Sequence, residues 1–305
     1  MFVHTVSAVE LMDRFQTLLE QENTTYHFNN YLSPSYQLDC LYSTSSNRHA
    51  DRDARDLSEQ KTYWRSKLCA WMYHVVDKNV LDRELVEISM SYMDRYLAQH
   101  PIHDSQGFQL VGMTSLYLAI KIFRHEGKGA AMSSFVKLSQ GVFTIQDFVE
   151  TEQAMLDTLQ WRMHPPTSLA FLELLILFLP RGACIPSARR ALYERIKFLL
   201  ELCVTVQFFF NKKSSNIAIA AFIEVMEHED KPNVSDVKYH VHFRKCVHSI
   251  CGIDCDSDEV LECIEAMTIV HQNAWHDLKE ELMMEDGCGD KSPTGTTVPS
   301  SVVSP

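Results

Sequence analysis

The sequence predicts an all-α protein: two tandem five-helix units, preceded by a short N-terminal helix and followed by a disordered C-terminal tail. Three observations carry this. Apolar residues recur at i, i+3, i+4 and i+7 over most of the chain, the period of one helix face. Only 10 glycines and 10 prolines occur in 305 residues, below average usage and too few to turn a many-stranded sandwich or barrel. Hydrophobic residues make up 46% and charged residues 22%, which fits a chain that buries real cores.

Residues 1–54 read as an N-terminal segment, with one amphipathic stretch (Leu11, Phe15, Leu18) running into polar sequence. STSSNRHADRDARD, residues 43–56, reads as a linker. The first unit spans 55–164. Leu68, Trp71, Met72 and Val75 mark its first helix, and Leu85, Ile88, Tyr92 and Tyr96 its second. The third, Phe108 to Phe123, is apolar almost all round and belongs at the centre of a bundle. Gly112, Ser115 and Ala119 form a narrow stripe on it where a neighbouring helix can approach. A weaker helix near 131–139 follows. A fifth begins at Thr144, with Phe148, Met155, Leu156 and Leu159 on one face.

His164-Pro165-Pro166-Thr167 ends that pattern, because proline removes a donor and constrains the residue before it. The second unit, 165–285, opens with a helix over Ser168–Leu179. Leu192, Ile196, Leu199, Cys203, Val206 and Phe210 then trace a long helix. Ile217–Met226 repeats the small stripe as Ala218, Ala221 and Val225, and two more helices are expected near 236–250 and 257–284. Residues 286–305 have no apolar period and read as a disordered tail.

A net charge of −12 argues against a nucleic-acid surface, which needs clustered basic residues. The nine cysteines include no CxxC pair. MFVHTVSAVELMDRF lacks the basic start of a signal peptide, and the longest apolar stretch is too short to span a membrane. Reduced thiols and a nuclear or cytoplasmic location are therefore expected. The 14 histidines include no Ser-His-Asp or Cys-His set, and there is no phosphate-binding glycine loop. No enzymatic activity, cofactor or metal is expected. Asp254, Asp256, Asp258 and Glu265 imitate a calcium loop, but Glu259 occupies its glycine position, so an Asp256/Ser257 helix cap is expected instead. Cys246, His248, Cys251 and Cys255 lack the spacing of a closed zinc site.

Four charges fall on or beside apolar helix faces: Arg65, Asp94, Lys121 and Glu152. Buried charges need partners, so opposite charges are expected to pair across helices. Such pairing is weak evidence of function.

The segments WRSKLCAWMYHVV, SYMDRYL, LVGMTSLYLAIKI and FTIQDFVETEQAMLDTLQWRMHPPT resemble a cyclin box in order and spacing. The resemblance is strong over about 60–172 and weaker to about 285. Arg65, Asp94, Leu110, Lys121 and Glu152 match the positions that mark the family, Leu110 as a core marker. LQWRMHPPTSLAFLELL is similar to D-type cyclins, including plant and algal relatives. The resemblance implies a tandem cyclin fold and a non-catalytic subunit that activates a cyclin-dependent kinase and governs cell-cycle progression at G1/S. It implies an internal Arg65–Asp94 pair, and a kinase-facing surface of Lys121, Glu152, Ile122, Leu156, Trp161 and Met163. A cyclin-fold transcription protein and a non-activating helical scaffold are the alternatives.

A substrate-docking patch would comprise Trp64, Leu68, Trp71 and Gln109, with Lys67 and His74 departing from the family's pattern. The segment Ile122-Phe123-Arg124-His125 and the loop after it also depart, which bears on kinase choice. For a retinoblastoma-like pocket protein the LxCxE candidates are Leu38–Tyr42, which lacks the glutamate, and Leu261–Glu265, which falls in a predicted helix. Ser33-Pro34, Ser292-Pro293 and Ser304-Pro305 are minimal proline-directed phosphorylation sites. The Arg-x-x-Leu matches at 65–68 and 189–192 sit in predicted helices.

Overall fold

A computed structural model describes residues 8–37, 50–123, 131–179, 186–228 and 237–286. Among them every regular element is helical. Helix α1 (Ala8–Asn23) precedes a first set: α2 (Ala50–Lys78), α3 (Glu84–Leu97), α4 (Ser105–Phe123), α5 (Met132–Leu138) and α6 (Ile145–Thr158). The second set is α7 (Ser168–Leu175), α8 (Pro186–Thr205), α9 (Ser214–Glu227), α10 (Val237–Cys246) and α11 (Asp258–Asp286). This is the expected pair of five-helix units.

Each set closes around its own apolar core. In the first, α4 is central: Leu116, Ala119 and Ile120 are buried with Met72, Val76, Tyr92, Met93, Phe148 and Met155. At Gly112 α4 admits a side chain of α2, since a Cβ there would meet Leu68 Cδ1 at 2.7 Å. Leu110, by contrast, is only partly buried and packs at the edge of this core. In the second, α9 is central and buried along most of its length, with the Phe222 and Phe243 rings stacked 4.1 Å apart. Thr144 caps α6 in a reciprocal box with Asp147, and Thr167 caps α7 by accepting from Ala170 N–H at 3.0 Å. Both satisfy donors that a helix start leaves open.

The N-terminal segment departs from the expected linker. Helix α2 already begins at Ala50, so residues 50–56 are helical. That stretch of sequence is mostly charged and shows no apolar period, but Ala54, Ser58, Lys61 and Arg65 lie on one α2 stripe and are buried. What covers them is the segment around Tyr31–Gln37. The Leu32 carbonyl accepts from Ser58, Gln37 Oε1 accepts from Lys61 Nζ at 2.9 Å, and Ala98 O accepts from Tyr36 OH at 2.9 Å. Helix α1 lies instead on the second core, where Phe15 meets Phe171 and Phe178. The N-terminal segment thus ties the two units together.

Two further helices end sooner than expected. Helix α7 tightens into a 3₁₀ turn at Ile176–Phe178, a common way to use the last open carbonyls. Helix α8 stops at Thr205, where extended Val206 (φ −87°, ψ 124°) starts a 3₁₀ turn over Gln207–Asn211. Phe210 is therefore not on the α8 stripe. It joins the first core.

Carboxylates from the first unit and from α1 cap helices of the second unit. Glu87 on α3 accepts from Ser168 N–H at 2.7 Å and Ser168 Oγ at 3.0 Å, and Glu84 accepts from Thr167 Oγ1 at 2.6 Å. Glu22 on α1 caps α9 in the same way through Ser215. Burial pushes the Glu87 carboxyl up to about 7, against the lowering by Ser168, and burial also raises Glu22, Glu84 and Glu201. A carboxyl that holds its proton more tightly folded than unfolded stabilises fully below its unfolded value. That stability fades as pH rises through the folded value. Thermal stability is therefore expected to fall between about pH 4.5 and 7, by at most about 1.4 kcal/mol per pH unit for Glu87 alone. Melting curves across this range check it: Glu87→Gln should flatten the slope, and an unchanged slope would contradict the assignment.

Candidate functional site

Two charge pairs organise the first unit, and they differ in exposure. Arg65 on α2 meets Asp94 on α3 with Nη2–Oδ2 at 2.8 Å and Nε–Oδ1 at 3.1 Å. Their side chains are 6% and 5% exposed. Tyr31 OH donates to Asp94 Oδ1 at 2.9 Å, and the Phe210 ring lies over the guanidinium, 4.7 Å from centroid to Cζ. A buried ion pair is tolerable when its remaining valences are met, and here two residues outside the α2–α3 pair meet them. Burial opposes the guanidinium charge, yet Asp94 holds Arg65 above its ordinary range. Burial also drives the Tyr31 hydroxyl well above its ordinary range, so it stays a donor.

Lys121 and Glu152 form the second pair, Nζ–Oε1 2.7 Å, with side chains 52% and 12% exposed. Lys121 occupies the last turn of α4, where the helix dipole favours a cation. The hydrogen bond to Glu152 raises its ammonium above the ordinary range. Ile122 next to Lys121 is exposed, as are Ile145 and Val149, which by helix spacing share a face of α6 with Glu152 and the partly buried Leu156. Trp161 is 70% exposed. It stands on a tight turn in which Gln160 and Trp161 both take left-handed backbone, φ 51° and 59°. Two adjacent non-glycine residues there store strain, which structures retain where something holds them. Here Trp161 N–H donates to Leu156 O at 3.1 Å, closing the end of α6. Arg95 donates to Arg162 O at 3.0 Å, and Tyr92 OH donates to Met163 O.

Met163 does not share the surface. It is 4% exposed and belongs to the first core, because the turn that lifts Trp161 out folds Met163 in. Its side chain supports the surface from beneath. The residues expected to form a docking patch lie on α2 and α4. Trp64 lies against Phe108 at 5.6 Å, Leu68 is buried against Gly112, Trp71 is partly buried, and Gln109 is exposed beside them. Lys67 is drawn over the exposed Tyr63 ring, Nζ 5.3 Å from its centroid.

Other sequence signals resolve differently. Leu261–Glu265 lies within α11 with Cys263 fully buried, so it offers no extended motif. Leu38–Tyr42, Arg124, His125 and the tail after 286 lie outside the described residues. Ser257 precedes α11 and its hydroxyl donates to Asp254 O at 2.8 Å, while Asp256 pairs with Arg244 at 2.7 Å. Cys251 and Cys255 are buried, and Cys246 Sγ sits 3.4 Å from His242 Nε2. No helix among the described residues is long and apolar enough to cross a membrane.

Sequence reading missed Tyr31, Phe210, Tyr92 and Arg95, which hold the ion pair and the Trp161 turn. The signal for Tyr92 and Arg95 was available, since both lie within a turn of Asp94 on the same helix. For Tyr31 and Phe210 no local signal exists.

Residues 37–164 match the family described as Cyclin, N-terminal domain. Human cyclin-G1 is 23% identical over 174 residues, 57% of this chain and 54% of that one. Cyclin-B2-2 of Arabidopsis thaliana is 27% identical over 215 residues, 70% of this chain and 45% of that one. The chain spans about half the length of these relatives. They are of G and B type, and the D-type likeness is not confirmed by them. In fold, the chain resembles a viral cyclin from herpesvirus saimiri, with a TM-score of 0.58 at 15% identity over 84% of this chain and 95% of that one.

Proposed function

We propose that this chain, whose residues 37–164 match the cyclin N-terminal domain, is the regulatory subunit of a cyclin-dependent kinase. The observation that carries the reading is the Lys121–Glu152 pair, half open to solvent within an apolar rim. Such a surface suits a partner that dries it on binding. Lys121 and Glu152 then trade each other for main-chain groups beside the kinase helix that bears the catalytic glutamate. Ile122, Leu156 and Trp161 supply apolar contact, and the Arg65–Asp94 pair keeps α2 and α3 in place beneath. Residues 55–164 act as the kinase-binding unit and 165–285 as its support.

The chain itself performs no chemistry in this reading. A kinase needs its β3 lysine paired to that glutamate before phosphoryl transfer proceeds. A partner that binds only the swung-in helix shifts the population, and a shift from 1:99 to 99:1 takes about 5.5 kcal/mol of differential binding. Charge-assisted hydrogen bonds in a dried apolar patch are of this order together. Control of cell-cycle progression follows from the kinase. The G1/S stage rests on the D-type-like stretch Leu159–Leu175 alone, and substrate docking on the Trp64–Trp71 patch. The test is a pull-down from native cells with a kinase assay on the eluate. A cyclin-dependent kinase with histone- or peptide-directed activity is the expected result. Salt-dependent DNA binding with no kinase in the eluate would replace this reading with a transcription role.

A further inference from the structure

The second unit carries a cluster that the kinase reading does not use. Glu224 lies on the buried face of α9 and its side chain is 1% exposed. A buried carboxylate needs positive charge close by, yet among the described residues no lysine or arginine pairs with it. Two imidazoles face it instead. His228 Nδ1, from the residue after α9, is 3.2 Å from Glu224 Oε1. His271 Nδ1, from α11, is 3.0 Å from the same oxygen. All three ligand atoms lie within 4.8 Å of one another.

We propose that Glu224, His228 and His271 form a binding site for a divalent transition ion of the zinc class. Ligands about 2.0–2.1 Å from a tetrahedral zinc stand roughly 3.3 Å apart, close to the two separations from Oε1. The carboxylate is held in place, since its other oxygen, Oε2, accepts from Thr268 Oγ1 at 2.7 Å. Outer hydrogen bonds of this kind orient metal ligands. The cluster also sits at the C-terminal end of α9, where the helix dipole favours a cation. His228 is half exposed and gives the ion a route from solvent, with water as the fourth ligand. Its Nδ1 is also 3.0 Å from the Glu224 carbonyl, so loading turns this ring from that oxygen toward the ion. A bound ion would pin α9 to α11 and neutralise Glu224.

The competing account is that both rings simply donate hydrogen bonds to the carboxylate. Titration of the reduced full chain with Zn²⁺ against a chromophoric chelator decides between them, together with the visible spectrum of the Co²⁺-loaded chain. One tightly held equivalent is expected, with a Co²⁺ spectrum free of thiolate charge transfer. His228→Ala, at a half-exposed position and folded by circular dichroism, should lose that equivalent. Thr268→Val should weaken it by about 10–100-fold. No retained Zn²⁺, equal retention by His228→Ala, or a thiolate band from the cysteines of α10 and α11 would each overturn the proposal. None of these outcomes bears on kinase activation.

Discussion

Replacing Asp94 with alanine is expected to destabilise the chain by about 3–5 kcal/mol, the cost of leaving one member of a buried ion pair without its partner. The pair is nearly closed to solvent, so water cannot take over the role of the lost carboxylate. Tyr31 loses its acceptor in the same step, adding a second buried polar group to satisfy. Phe210 would remain over a guanidinium with no counter-ion. Removing both charges should cost far less, because an apolar replacement of similar volume leaves nothing uncompensated. Urea unfolding of Asp94→Ala and of the double variant Arg65→Met/Asp94→Leu measures this. A single-variant loss below about 1 kcal/mol, the scale of a surface pair, would show that the pair does not lock α2 to α3.

Lys121→Ala and Glu152→Ala are expected to abolish kinase activation while leaving thermal unfolding nearly unchanged. The contrast follows from exposure. Lys121 is half in solvent, and an exposed pair contributes about 0–1 kcal/mol to folding. In the proposed kinase interface, dried on binding, the same two groups make charge-assisted hydrogen bonds worth about 1.5–3 kcal/mol each. Losing one such bond at the centre of a contact removes much of the differential binding that holds the kinase helix inward. Kinase assays on purified variants, paired with melting curves, read both quantities. Full activation by either variant would sink the assignment.

How far the sequence discloses this protein depends on whether a signal is local. The α4 stretch from Phe108 to Phe123 declares itself, because a helix apolar all round has only one place to go in a bundle. Arg65, Asp94, Lys121 and Glu152 stand out for the opposite reason, as charges where the period calls for apolar groups. The second unit was legible from the repeated small stripe of Ala218, Ala221 and Val225, all buried. What escaped is long-range. Tyr31 lies in polar sequence without a period, and its value comes from reaching Asp94, which no spacing rule encodes. The start of α2 was lost because Ala54, Ser58 and Lys61 bury a mostly polar stripe under the N-terminal segment. Phe210 continued an apolar period that the backbone breaks at Val206. Met163 and Trp161 are two residues apart, yet a left-handed turn sends one inward and one outward. The Glu224 cluster joins residues on α9 and α11 that only the packed second unit brings together.

Lys121 and Glu152 are proposed to act on a partner rather than on each other. The double charge exchange Lys121→Glu/Glu152→Lys tests it most directly, because it preserves an ion pair between α4 and α6 while reversing what each position offers a kinase. Activation of a cyclin-dependent kinase by the exchanged chain is the measurement, beside a melting curve that confirms the fold. Native-like melting with activation still lost is the expected result. Restored activation would show that the pair serves only the chain's own structure and that the kinase binds elsewhere.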